Sequence, residues 1–185
     1  MKNLKKLFVP FLVIFLSGCS TLAPNYSPDF SAIDGLKNAK LQKMSVGEFQ
    51  PSDPNAKVNK ISIRAANLLA KEGSFALYLE NAVRSDLKEA GLLDSTSTTK
   101  VDATIIQNDL DIHKFTTGSG VMEAELSISK NGNQTFKKSY TVNTEFDSSF
   151  LGGVAIGNAQ AHYPSLVRTL LQKIYTDQDF LNAMK

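Results

Sequence analysis

The chain has 185 residues, enough for one domain with a substantial core, and at 42% hydrophobic and 21% charged residues its composition is that of a globular protein. Its formal charge of +2 comes from 20 basic and 18 acidic side chains; Lys2, Lys5 and Lys6 lie in a stretch of 18 residues without an acid, so from residue 19 onward the count is 17 against 18. A near-neutral domain with no Lys/Arg cluster and no Trp is a poor nucleic-acid binder, and that class is set aside.

Behind the three lysines, Leu7 to Leu16 is an almost wholly apolar run, and the small residues Ser17 and Gly18 follow it, in the order of a secretory signal peptide. The run is about half the ~20 residues that a helix needs to span a bilayer, so removal is expected rather than permanent insertion. Residues Leu16-Ser17-Gly18-Cys19 resemble the lipobox of bacterial lipoproteins. The resemblance implies cleavage between Gly18 and Cys19, a lipid on the Cys19 sulfur and an acyl chain on its amine. Ser20, in place of an Asp that would favour retention, implies transfer to the inner leaflet of the outer membrane. Several acyl chains on one residue exceed the two signals that stable attachment requires. A buried thiol is the alternative for Cys19, but nothing beside it reads as core. No other cysteine remains for a disulfide or a thiolate site.

Residues 20–34 (STLAPNYSPDFSAID) hold two prolines and no period, so residues 19–35 are expected to be the lipidated Cys19 and a flexible tether, with a single periplasmic domain over 36–185. Leu41, Met44, Val46 and Phe49 give a weak strand signal with Gly47 at a bulge or bend; Ile61 and Ile63 mark a second short strand. Ser74 to Ala90 is the clearest helix: Phe75, Leu79, Ala82, Val83, Leu87 and Ala90 share one face. Ser74 suits its N-cap, Gly91 its end, and Glu80 lies four residues before Arg84.

Val101 to His113 alternates first through Val101, Ala103 and Ile105 and then through Ile106, Leu110 and Ile112, predicting an internal strand that is apolar on both faces. Such a strand calls for a second covering layer or a dimer. Met122 to Ile128 and Phe136 to Phe146 form a hairpin. Its Asn131-Gly132 pair suggests a two-residue loop, but that loop would put the two apolar sets on opposite faces, so a three-residue loop, Lys130 to Gly132, is expected. Lys138 is left as an unexplained charge on the inner face. A second helix carries Tyr163, Val167, Leu170, Leu171 and Ile174, with Pro164 near its start. Thr176 is the expected N-cap of a last short helix with Phe180, Leu181 and Met184. The pattern predicts an α+β fold, a mostly antiparallel sheet of about four strands with two main helices packed on one face.

Little in the sequence points to catalysis. Gly152-Gly153-Val154-Ala155-Ile156-Gly157 lacks the Lys-Ser/Thr pair of a phosphate loop and the βαβ setting of a dinucleotide loop, and reads as a close-packed turn from sheet to helix. Phe150, Leu151, Val154 and Ile156 within it are candidate contacts for a partner or a lipid. Asp109, Asp111 and His113 share a strand face, with Glu123 and Glu125 on its neighbour, but a solvated acidic face is the commoner meaning and no metal site is expected. His162 has no identifiable acid or nucleophile. No GxSxG, HExxH or CxxC spacing is present, and neither a catalytic residue nor a cofactor is expected.

Taken together, Phe75 to Leu93, Val101 to Asp111, the Lys130 to Gln134 turn and the tail Leu166 to Ala183 resemble the YajG-type family of small bacterial lipoproteins. More distantly the element order is similar to the lipopolysaccharide-assembly lipoprotein LptE and to PqiC-type auxiliary lipoproteins of lipid-transport ABC systems. The resemblance implies a non-catalytic outer-membrane lipoprotein, anchored through Cys19 and facing the periplasm, that binds an envelope protein in assembly or lipid transport. A lipid-binding carrier, an auxiliary subunit of an ABC-type lipid transport system and a periplasmic hydrolase are the alternatives; self-association is left open.

Overall fold

A computed structural model describes residues 19–185; the expected signal peptide, including Gly18, lies outside the described residues. The fold is α+β, with two sheets. The larger has the order β2-β5-β6-β7, with β2 at Ser45–Gln50, β5 at Thr99–Asp111, β6 at Thr117–Lys130 and β7 at Asn133–Asp147. All its pairings are antiparallel except that of β2 with β5. The smaller has the order β1-β4-β3, from Cys19–Leu22, Ala66–Leu69 and Ile61–Ile63, with β1 parallel to β4.

Helix α2 (Phe75–Glu89) packs on β2 and β5, and α3 (Gly152–Tyr175) packs on β6 and β7. A shorter α1 (Phe30–Asn38) rests on both helices, and α4 (Gln178–Ala183) closes the chain against β7. The core is one cluster between helices and sheet, centred on Phe75, Tyr78 and Tyr163, whose rings meet with centroids 4.6 and 5.3 Å apart. α2 starts where the sequence placed it, with the Ser74 hydroxyl accepting the Leu77 N–H at 3.2 Å. Buried Asn59 adds a second cap from outside the helix: its Oδ1 accepts from the Phe75 and Ala76 N–H groups while its Nδ2 donates to the Pro51 and Asp53 carbonyls.

Two departures from the expected elements and the expected bulge at Gly47 share one cause, an extra residue in a strand. Val101, Ala103 and Ile105 face the core, and so do Asn108, Leu110 and Ile112, because the ladder with β6 skips Ile106 and the alternation changes phase there. β5 is therefore apolar on one face, not two, and Ile106 is left 48% exposed. The case for a second layer or a dimer loses its basis. In the hairpin, Lys130 pairs with Asn133 across a two-residue turn whose Asn131 and Gly132 have φ of 50° and 80°, the left-handed pair that the tightest hairpin turn needs. Thr135 is the bulged residue: Ser129 pairs with Gln134 and Ile128 with Phe136, so both apolar sets reach one face without a three-residue loop. In β2 the register shifts between Val46 and Phe49, and there Asp102 Oδ1 accepts the Glu48 N–H at 2.8 Å over the bare Gly47.

Lys138 does lie inward, opposite Leu126, but β7 is an edge strand and its ammonium bridges Asp177 and Asp179 at 2.8 Å each. The last helix is capped by Asp177, whose side chain accepts the Asp179 N–H, not by Thr176, which ends α3.

The second main helix begins at Gly152, well before Pro164, so residues 152–157 are its first turns and not a connection from the sheet. An interior proline costs roughly 3 kcal/mol. That loss is offset by the stripe of Ala155, Ala159, Tyr163, Leu166, Val167, Leu170, Leu171 and Ile174, all buried.

The expected tether is also corrected: residues 19–38 form β1, a strap and α1. Ala23, Ile33 and Leu36 are buried, and the strap is held by side chains from the helices. Tyr78 Oη donates to the Pro24 carbonyl at 2.8 Å, Gln160 Nε2 to the Leu22 carbonyl at 2.7 Å and Arg168 Nη1 to the Ser27 carbonyl at 3.4 Å.

Candidate functional site

The sequence leaves two kinds of candidate, polar groups that could do chemistry and apolar residues that could hold a partner. The polar groups stay apart. His113 is almost fully exposed, and its ring contacts Asp111, whose carboxyl is held below the usual range by the His113 N–H and ring. The bulge at Ile106 turns Asp109 and Asp111 to the outer face that carries Glu123 and Glu125, but none stands directly opposite another: Asp109 faces Val121, while Glu123 faces Gln107 and Glu125 faces Thr104. Among the described residues, no three His, Cys, Asp or Glu side chains converge as metal ligands. His162 stacks on Phe146 with centroids 4.5 Å apart, and its Nε2 is 2.8 Å from Thr144 Oγ1. Burial lowers its pKa, so the ring is kept neutral inside the α3 to sheet contact. A groove on the outer sheet face is lined by Lys57, Lys60, Ser62, Asp109 and Glu123, a hydroxyl among charges of both signs.

Asp86 has no counterpart among the sequence candidates. It sits on the buried face of α2, 1% exposed, and accepts the Tyr26 hydroxyl with both oxygens at 3.1 and 2.9 Å. Burial pushes its pKa up to about 6, against the pull of that hydrogen bond. Tyr175, buried beside it at the end of α3, makes no hydrogen bond of ordinary geometry, and its own pKa is raised by burial and by the nearby carboxylate. Its position was visible, since 86 falls four residues after Ala82 and three after Val83 on the apolar face. The cluster fastens the strap to α2 beside the end of α3.

The apolar candidates do assemble. Phe150, Leu151 and Val154 are 73, 64 and 48% exposed at the entrance to α3, whereas Ile156 turns inward and packs against the core. Phe115, from the β5–β6 loop, joins them: it is 64% exposed and its ring meets that of Phe150 edge to face, with centroids 5.4 Å apart. An aromatic in the polar stretch His113 to Gly120 was the signal for it. The loop is fixed from below by Arg64, at the tip of the β3–β4 turn with φ of 53°. Its guanidinium donates to the carbonyls of Ile112 at 3.1 Å, Ser149 at 3.0 Å and Phe150 at 3.3 Å. Arg64 thus ties the β5–β6 loop to the turn before α3, while the side chains of the rim face solvent.

Cys19 opens β1, and its backbone pairs with Ala66, two residues beyond Arg64. β1 then runs alongside α3, since Leu22 at its far end meets Gln160. The point where the chain enters the domain and the apolar rim therefore lie at the same end of the molecule. No described helix is long and apolar enough to cross a membrane.

No family model matches the chain, and no curated protein does. Among solved structures, a Xanthomonas campestris protein of the family DUF330 superposes with a TM-score of 0.55 at 8% identity, covering 84% of this chain and 92% of that one. A Caulobacter crescentus protein named as a candidate lipoprotein gives 0.48 at 14% identity over 82% of this chain and 93% of that one. A minor lipoprotein of Acinetobacter baumannii gives 0.44 at 15% identity over 77% and 94%. The first likeness shows a shared fold and nothing about activity.

Proposed function

We propose that the chain is a non-catalytic lipoprotein, anchored through Cys19 to the inner leaflet of the outer membrane, whose domain binds an envelope component in assembly or lipid transport. The observation that carries this reading is the exposed rim of Phe115, Phe150, Leu151 and Val154, pinned by Arg64 beside the entry of the chain at Cys19. An exposed apolar patch rimmed by polar groups marks an interaction surface. The lipobox resemblance supplies the anchor, and Ser20 supports the outer membrane as its destination.

An auxiliary subunit of an ABC-type lipid transporter is one form of the same reading. A lipid carrier is the second reading, and the exposure of Phe150, Leu151 and Val154 favours it equally. Crosslinking intact cells that carry a tagged chain, with a Cys19→Ala control, separates them. The binding reading predicts one barrel or transporter component enriched only with Cys19 intact; enrichment of lipid alone would replace it with the carrier, and enrichment of neither would remove both.

A further inference from the structure

The patch beside Cys19 has a geometry that a partner protein does not explain by itself. If Cys19 is the first residue of the mature chain, nothing separates the anchor from the fold, because β1 begins at Cys19 and pairs at once with Ala66. Adding the strand spacing, the two residues back to Arg64, the reach of its side chain and its bonds to Ser149 and Phe150 places the rim at most ~25 Å from Cys19. A diacylglyceryl group fixes Cys19 at headgroup level, so this end of the domain is held against the bilayer. The residues it presents there are Phe115, Phe150, Leu151 and Val154, two aromatics and two aliphatics facing outward on a fixed loop. Leu22 and Leu69, a smaller exposed pair across β1 and β4, lie about 10 Å along β1 from Cys19, on the side of Gln160 and away from Arg64.

We infer that this rim inserts into the lipid surface, so that the domain rides on the membrane in one orientation, with α3 rising from it. The inference rests on the anchor reading above, adds a second, non-covalent attachment to it, and assigns the rim to lipid, so that a protein partner would meet the domain away from the rim. Insertion of such a patch reaches about 5–10 Å, to the boundary of headgroups and acyl chains. The rest of the domain is then held away from the surface. Phe30, exposed at the start of α1 beside Ser165, Arg168 and Thr169, sits about 24 Å along α3 from Gly152.

The absence of Trp makes the test direct. Phe150→Trp, Phe115→Trp and Phe30→Trp are each made in the full chain, purified from membranes and reconstituted into vesicles of phosphatidylethanolamine and phosphatidylglycerol carrying brominated acyl chains. The mass of the N-terminal peptide is read on the same samples. With Cys19 acylated, Phe150→Trp and Phe115→Trp are expected to emit to the blue of a water-exposed indole and to lose about half or more of their intensity to bromine, while Phe30→Trp is unaffected. No protein partner is present, so shielding can come only from lipid. Water-like, unquenched emission at 115 and 150 with Cys19 acylated overturns the insertion and leaves the anchor standing. Equal quenching at 30 overturns the orientation, and a free Cys19 thiol overturns insertion and anchor together.

Discussion

At the scale of single residues, the buried Asp86 carboxyl sets a pH dependence. Below about pH 4 it is protonated in the folded and the unfolded chain alike. Between its ordinary value of 3.8 and the raised value of about 6, the folded chain keeps a proton that the unfolded chain has released, so this group's contribution to stability falls as pH rises through that window. The full cost, on the order of 3 kcal/mol, is present above it. His162 works in the other direction: burial lowers its pKa, so its contribution is present above the unfolded value of 6.5 and is lost as the pH falls below it. Comparison with Asp86→Asn isolates the first effect. Asn retains an acceptor for the Tyr26 hydroxyl and carries no charge, so its melting temperature is expected to exceed that of the native chain by roughly 6–12 °C at pH 7.5 and to match it near pH 4. Parallel pH curves for the two proteins would show that Asp86 is not the titrating group.

At the scale of elements, the sequence was legible where one period runs unbroken. α2 shows its apolar stripe, Ser74 cap, Gly91 stop and Glu80–Arg84 pair in the chain and in the fold. It was misleading where one residue is added to a strand, because an alternating pattern has no sign for a change of phase. Ile106 made β5 look two-faced, and Thr135 made a two-residue turn look impossible. That account makes an asymmetric prediction for deletions. Removing Thr135 leaves Gln134 opposite Ser129 and Phe136 opposite Ile128, and costs mainly one hydrogen bond from Thr135 to the Ile128 carbonyl, about 1 kcal/mol. Removing Thr141, equally exposed but inside the regular ladder, turns either Val142 or Tyr140 outward and is expected to cost more than about 3 kcal/mol. Urea midpoints decide this, and similar losses for the two deletions would refute the bulge as the source of the register. α3 was read short for a different reason: Gly152, Gly153 and Pro164 are poor helix formers, and the buried stripe that overrides them is seen only against the sheet.

At the scale of the whole molecule, the strap is where sequence and structure differ most. Residues 20–29 are polar, carry two prolines and show no period, since their bonds are made by their backbone carbonyls to Tyr78, Gln160 and Arg168. Such bonding leaves no mark on residue type; only Tyr26 hinted at it. Deletion of residues 20–28 strips Asp86 of its donor and uncovers the helices, and it is expected to lower stability by about 3 kcal/mol or more, where loss of a flexible tether would be neutral. Denaturant titration of the shortened chain tells the two apart. The consequence for the function proposed above is that, with a lipid on Cys19, anchor and domain would be one piece and the lipid would fix which end of the fold meets the membrane. The most direct test of that claim is the mass of the N-terminal peptide of the chain extracted from cell membranes. The account predicts a peptide that begins at Cys19 and carries a diacylglyceryl group and an amide-linked acyl chain. A peptide that retains residues 1–18, or one with Cys19 as a free thiol, would contradict it.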